Sequence, residues 1–141
     1  MLNETKIIKN LTVDSSVIVA YLINENEYSQ TASVVWDRIF TNGTIVFIPV
    51  TVLSEVVSAV RRRTNSITFS EAVKELLISS HHFRLIDINL ERSIKSAQIA
   101  IKYGLRGMDS IIVQVSEEYE TELITFDNEI KEKYLSKVKR K

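Results

Sequence analysis

Four acidic residues of this chain stand at positions from which carboxylates can reach a common site. Asp14 separates an apolar run from two serines in "LTVDSS", and Asp127 follows a second apolar run in "LITFDNEI". Glu55 and Asp109 lie early in segments whose apolar residues have helical spacing. Carboxylates that share a pocket repel one another, so they bind a divalent cation that relieves the repulsion. Such a site supports metal-assisted hydrolysis of a phosphodiester.

Strands that alternate with helices must position these acids. The predicted strands are Ile7–Val13, Thr44–Pro49, Phe83–Ile88 and Leu123–Phe126. The predicted helices are Ser16–Ile23, Ser29–Phe40, Thr51–Arg63, Thr68–Ser80, Asn89–Tyr103 and Met108–Tyr119. Strands separated by helices imply parallel crossovers, and hence a three-layer α/β/α sandwich with a mainly parallel sheet.

This topology predicts which acids meet. Functional sites of parallel sheets form beyond the carboxyl ends of the strands, so we expect Asp14 and Asp127 at one edge of the sheet. Glu55 should join them, because its helix directly follows the second strand. The same argument supports Asp109 less well, because its helix precedes the last strand and does not directly follow a strand.

Each acid also has an ordinary structural explanation. Asp14 and Asp127 could cap the helices that follow them, since aspartate is a preferred N-cap residue. Asp109 could be a first-turn residue that favours the helix dipole. Glu55 is harder to explain locally, because it lies one residue past the capping-box position and has no basic residue three or four positions further on.

Length and composition limit the class of protein. The chain has 141 residues, of which 45% are hydrophobic and 26% charged, so we expect one globular domain over residues 1–141. With no cysteine, the sequence contains neither disulfides nor thiolate metal sites. The apolar run Val17–Ile23 is too short to cross a bilayer and the first residues lack a secretory pattern, so we expect a cytoplasmic protein with no membrane association.

Together, these motifs resemble the PIN-domain ribonucleases, and VapC-like toxins in particular. The resemblance covers residues 13–130 and rests on the order and context of four motifs. They are the strand-borne "VDSS", the helical Glu55, "RGMDS" with Asp109, and "TFDNEI" with Asp127. One departure is Ser110, which stands where the family most often has a small apolar residue.

The resemblance implies a metal-dependent endoribonuclease that acts as the toxin of a type II toxin–antitoxin pair. Its catalytic and metal-binding acids would be Asp14, Glu55, Asp109 and Asp127, with Asp14 and Asp109 as the main metal ligands and Ser16 as the accompanying hydroxyl. Oxygen ligands of this kind suit Mg²⁺ or Mn²⁺ better than Zn²⁺. The implied partners are an RNA substrate, a separate antitoxin chain and a second copy of the protein, paired through Thr51–Arg63 and Thr68–Ser80.

Basic residues are candidates for phosphate contacts, and we expect them near the acidic pocket but outside it. Arg106, which directly precedes an acidic motif, is the best candidate. Arg61–Arg63 and the tail "KVKRK" are weaker ones, because basic residues also favour helix C-termini and solvated tails. His81 and His82 are not expected to act in catalysis, and Trp36 is expected in the core or at an interface.

Three other functions fit parts of the pattern. A housekeeping RNA-processing nuclease would have the same motifs. A non-catalytic interaction module could use the acidic pocket to dock a basic peptide or a structural metal. A phospho-receiver domain also has an acidic pocket, but it requires an acid pair after the first strand, which is absent here.

Overall fold

A sheet of four short parallel strands lies at the centre of the fold. The computed structural model describes residues 9–24 and 27–138. The strands are β1 (Leu11–Val13), β2 (Val46–Pro49), β3 (Phe83–Ile86) and β4 (Glu122–Ile124), in the order β3-β2-β1-β4. All neighbouring strands are parallel, as predicted. The predicted first strand is longer than β1, and its residues Ile7 and Ile8 lie outside the described residues.

Helices connect the strands and cover the sheet. They are α1 (Ser15–Ile23), α2 (Ser29–Thr41), α3 (Val50–Thr64), α4 (Ile67–Ser79), α5 (Leu90–Tyr103) and α6 (Gly107–Glu118). After β4 come α7 (Asn128–Ile130), a π-helical turn (Lys131–Leu135) and α8 (Ser136–Val138). From β1, the chain adds β2 and then β3 toward one edge of the sheet, and β4 then pairs with the other side of β1. With this strand order, right-handed crossovers place α1–α4 on one face and α5–α6 on the other. The helix contacts agree and confirm the three-layer fold, since α1 packs on α2 and α3, α3 packs on α4, and α5 packs on α6.

Local signals in the sequence explain where the helices begin and end. The Ser66 side chain accepts a hydrogen bond from the backbone N–H of Phe69 at 3.0 Å and so caps α4. Asn89 caps α5 in the same way through the N–H of Arg92, at 2.9 Å. Gly104 ends α5 with φ of +71°, a left-handed conformation that glycine adopts without strain.

The apolar stripe of α3 packs into the core as its spacing predicts. Val52, Val56 and Val60 are each no more than 1% exposed, one helical turn apart, while Glu55 lies on the open side of the same helix. Trp36 stacks on Tyr21 with ring centroids 4.3 Å apart and packs against the core, which agrees with its predicted structural role. The helix that carries Glu55 is thus held in one orientation by its buried face.

An ion pair between Arg92 and Glu118 joins α5 to α6. The Arg92 side chain donates from Nε and Nη2 to the two carboxylate oxygens of Glu118, at 3.0 and 2.7 Å. Arg92 also donates to the carbonyl oxygen of Asp87 beyond β3, and Gln114 donates to Glu118 at 2.8 Å. The hydrogen bonds from Arg92 lower the pKa of Glu118 to about 2.

Glu118→Gln is expected to lower the free energy of unfolding at pH 7 by about 0.5–1 kcal/mol, because the pair has bidentate geometry but remains partly exposed. The folded-state pKa lies below its ordinary value of 4.5, so the contribution is complete above that pH and is lost as the pH falls toward 2. Urea unfolding at pH 7 and pH 3 measures this. Glu71→Gln, which breaks one exposed pair, should have a smaller effect. An equal loss at both pH values would contradict the assignment.

Candidate active site

Asp14 lies at the carboxyl end of β1, and tertiary contacts hold it there. Its backbone N–H donates to the carbonyl oxygen of Ile124 at 3.0 Å, which ties the end of β1 to β4. Its carboxylate accepts hydrogen bonds from Ser16 Oγ at 3.1 Å and Thr125 Oγ1 at 2.8 Å. The side chain makes no capping bond to α1. Helix capping therefore does not explain this acid.

Asp127 follows β4 and has two structural partners. One carboxylate oxygen, Oδ1, accepts from the N–H of Ile130 at 3.1 Å and caps α7, as the ordinary explanation predicts. Its own N–H donates to Thr125 Oγ1 at 2.9 Å. The other carboxylate oxygen, Oδ2, is not used by the cap and accepts from Arg106. Capping thus accounts for only one of its two oxygens.

Glu55 and Asp109 enter the site from α3 and α6. Partial burial raises the pKa of Glu55, and the negative charges of Asp14 and Asp109 raise it further. Burial also raises the pKa of Asp109, although Arg106 opposes that effect. Glu55 forms no ion pair with any described residue. On the Glu55 side, the site therefore has more negative charge than its own residues compensate.

Arg106 lies among the acids, so the expectation that it stays outside the pocket is wrong. Its guanidinium contacts Asp109 at 2.8 Å, Asp127 at 2.5 Å and Glu129 at 2.9 Å. It stands immediately before α6, three residues from Asp109, and β4 brings the other two acids opposite it. Hydrogen bonds and charge attraction from Asp109 and Asp127 raise the pKa of Arg106, and 60% of its side chain remains exposed.

One cleft collects the whole predicted set. It has a volume of about 940 Å³, and we call it the acidic cleft. The predicted site residues that line it are Asp14, Ser16, Glu55, Arg106, Asp109 and Asp127. Asp109, the least supported by topology alone, reaches it because α6 packs against β1 and β2. The acids therefore converge from positions up to 113 residues apart in sequence, as Asp14 and Asp127 show.

Sequence analysis missed two residues of this site. Oxygen atoms of Asp109, Asp127 and Glu129 lie within 4.8 Å of one another, so Glu129 belongs to the acidic group. Lys133, 2.6 Å away, lowers the pKa of Glu129. Thr125 bridges Asp14 and Asp127 through a single hydroxyl. In the sequence, the only signal for Thr125 and Glu129 is that each lies two positions from Asp127.

The donor atoms of the cleft fit a hard divalent cation. All the candidate ligands are oxygen atoms, and the closest of them are spaced within reach of one ion. The raised pKa values of Glu55 and Asp109 show that additional positive charge would stabilise the ionised cluster. Arg106 now supplies part of that charge, so it would have to release carboxylate oxygens when an ion binds.

The family model of the PIN domain matches residues 11–135. The chain belongs to the PIN domain family. No curated protein sequence matches it. The prediction that one domain spans residues 1–141 stays a prediction.

Solved structures share the fold of this PIN domain. VapC20 of Mycobacterium tuberculosis, described as a toxin that cleaves the sarcin-ricin loop, superposes with a TM-score of 0.73 at 16% identity, over 87% of this chain and 94% of that one. A toxin–antitoxin complex from Klebsiella pneumoniae gives a TM-score of 0.62 at 17% identity, over 86% and 90%. VapBC2 from Rickettsia felis, bound to a promoter DNA fragment, gives 0.60 at 13% identity, over 88% and 92%. At these identities the likeness establishes the VapC-like fold.

The helices, the histidine pair and the basic tail of the PIN domain were also subjects of prediction from the sequence. Among the described helices, none is both long and apolar enough to cross a membrane. The histidine pair 81–82 lies in a turn before β3, and neither residue lines the acidic cleft. The last residues of the basic tail, 139–141, lie outside the described residues.

Proposed function

We propose that this PIN domain is an endoribonuclease that hydrolyses RNA phosphodiester bonds with Mg²⁺ or Mn²⁺. The observation that carries the proposal is the convergence of four carboxylates from separate elements in one cleft. A divalent cation there would activate water and neutralise charge on the phosphodiester. No side chain needs to act as a nucleophile in this scheme.

The protein's own residues have distinct tasks in the proposed reaction. Asp14 and Asp109 would hold the cation most directly, and Glu55 and Asp127 would complete its surroundings or orient water. Ser16 fixes the Asp14 carboxylate through a hydrogen bond. With a cation bound to the carboxylates, the exposed guanidinium of Arg106 would be available to contact a substrate phosphate.

We further propose that the protein is the toxin of a type II toxin–antitoxin pair and acts in the cytoplasm. The support is the fold shared with VapC20 and with two toxin–antitoxin complexes. The antitoxin would be a separate chain that covers the acidic cleft. A homodimer through α3 and α4 is supported by the exposed apolar side chains of Ile67 and Ile78, 65% and 51% exposed, on α4.

Metal removal tests the enzymatic proposal directly. Purified protein is incubated with structured and unstructured RNA in Mg²⁺, in Mn²⁺ and in EDTA. We expect cleavage with either metal and none in EDTA, with activity restored when metal is added back. Cleavage that persists in EDTA would contradict the proposed chemistry. A small open reading frame beside the gene would favour the toxin role over RNA processing.

Thr125→Val is expected to lower both the cleavage rate and the affinity for Mn²⁺ by about tenfold, since residues that orient ligands typically contribute 10- to 100-fold. The substitution removes the hydroxyl that holds Asp14 and Asp127. Thr125→Ser, which keeps the hydroxyl, should remain close to the parent. Calorimetric titration with Mn²⁺ and single-turnover cleavage measure the two effects. Equal losses in the valine and serine variants would exclude the hydroxyl as the cause.

A further inference from the structure

A second cleft adjoins the acidic cleft, and its lining has a different chemistry. It has a volume of about 600 Å³, and we call it the aromatic cleft. The two clefts share Ser15, Ser16, Glu55 and Asp127, so they form one continuous depression. The residues that line only the aromatic cleft include Tyr28, Phe126, Arg62 and Arg63. A long ligand in the acidic cleft can therefore extend into it.

Two arginines give the aromatic cleft positive charge. Arg62 and Arg63 belong to the last turn of α3, are exposed, and form no ion pair with a described residue. Arg61, in the same turn, does not line the cleft and instead donates to Asn65 Oδ1 at 2.8 Å. Favourable interaction with the helix dipole explains basic residues in this turn. It does not explain why two unpaired guanidinium groups face a cleft beside four acids.

A pair of stacked rings forms another part of the wall. The rings of Tyr28 and Phe126 have centroids 4.6 Å apart and planes inclined by 17°. Lys131 Nζ lies 6.0 Å and 5.9 Å from the two centroids. The N–H of Phe126 donates to Ser16 Oγ at 3.3 Å, and Asp127 is the next residue. The Phe126 ring, on which Tyr28 stacks, is thus fixed to the backbone segment that positions Asp127.

We propose that the aromatic cleft binds single-stranded RNA next to the bond that is cut. Unstacked bases would pack on the Tyr28–Phe126 pair, and phosphates would contact Arg62 and Arg63. A planar, polyanionic strand matches both surfaces, and the cations attract a backbone that the neighbouring acids repel. The proposal rests on the proposed ribonuclease function and assigns to it a substrate-binding surface outside the acidic cleft, made of Tyr28, Phe126, Arg62 and Arg63.

RNA binding and its salt dependence test the proposal. Each variant is made in an Asp14→Asn background, and the Kd for a fluorescent single-stranded RNA is measured by anisotropy at several salt concentrations, in Mg²⁺ and in EDTA. The Arg62→Ala/Arg63→Ala variant is expected to lower the slope of log K against log salt by about 1.4, or about 0.7 for each phosphate contact. Arg61→Ala is the matched control and should leave the slope unchanged.

A second variant tests the rings separately. Tyr28→Leu should weaken binding of the single-stranded RNA by about tenfold, but it should not change binding of an abasic strand of the same length. Thermal unfolding of each variant confirms that the fold is intact. A folded double arginine variant with the parent's Kd and salt slope would overturn the proposal and leave the cleft to another occupant, such as a protein partner.

Cleavage by the unmodified chain is measured in parallel. Metal-dependent cleavage combined with unchanged RNA binding by the cleft variants would exclude the aromatic cleft as an RNA-binding surface and leave the proposed ribonuclease function intact. Absence of cleavage combined with RNA binding that depends on the cleft would remove the proposed enzymatic function and leave the aromatic cleft as an RNA-binding surface. The two proposals therefore fail in distinguishable ways.

Discussion

Asp14→Asn is expected to reduce metal-dependent RNA cleavage by at least about 100-fold, because loss of a residue that only orients a metal ligand already costs about 10- to 100-fold. Asparagine has the shape of aspartate, and the hydroxyls of Ser16 and Thr125 can rotate to suit the amide. The fold should therefore survive while the charge is lost. Single-turnover cleavage in Mn²⁺ measures the effect, with thermal unfolding as the check on folding.

Asp37→Asn is the matched control for Asp14→Asn. Asp37 is an exposed aspartate of α2 that does not line the acidic cleft, so its variant should cleave RNA at the parent rate. Equal cleavage by Asp14→Asn and the parent would identify a contaminating nuclease as the source of activity and would remove the enzymatic proposal.

Arg106→Ala is expected to change metal binding and catalysis in opposite directions. The guanidinium occupies oxygens of three acids, so its removal should tighten Mn²⁺ binding by about three- to tenfold. Cleavage at saturating metal should fall about 30-fold, because a charged hydrogen-bond donor to the substrate phosphate is lost. Calorimetric titration of the metal-free protein and single-turnover kinetics measure the two effects.

Arg106→Lys separates charge from geometry. A lysine keeps the positive charge but lacks the planar fork that reaches several carboxylates at once. We expect it to compete with metal less than arginine does and to retain part of the cleavage rate. Weaker Mn²⁺ binding in the alanine variant would contradict competition between Arg106 and the metal. Unchanged cleavage would exclude a contact with substrate.

The sequence predicts the fold well because its signals are local. The β-branched strands, the capping residues Ser66 and Asn89, and Gly104 after α5 each specify a boundary through contacts within one helical turn. Differences of a residue or two occur where such signals are weak, as at the end of β3, which stops at Ile86 and does not reach Ile88. The position of Glu55 in the acidic cleft was predictable because no local contact explains a charge beside a buried apolar stripe.

The charge balance of the site was not predictable in the same way. The contact of Arg106 with Asp127 joins residues 21 positions apart, and only the folded chain brings them together. Asp14 and Asp127 carry the same capping signal, yet only Asp127 caps its helix, since the hydroxyls of Ser16 and Thr125 hold the Asp14 carboxylate instead. Tertiary contacts, which have no sequence period, decided both outcomes.

The pairing of β1 with β4 has a consequence for biosynthesis. Thr12 of β1 and Thr121, the residue before β4, lie 109 positions apart and share a buried 2.6 Å hydrogen bond. This bond fastens together the two strands that present Asp14 and Asp127. A nascent chain on the ribosome exposes its first acid long before the last one has been translated. Products of premature termination that end before Asp127 therefore lack an assembled acidic cleft.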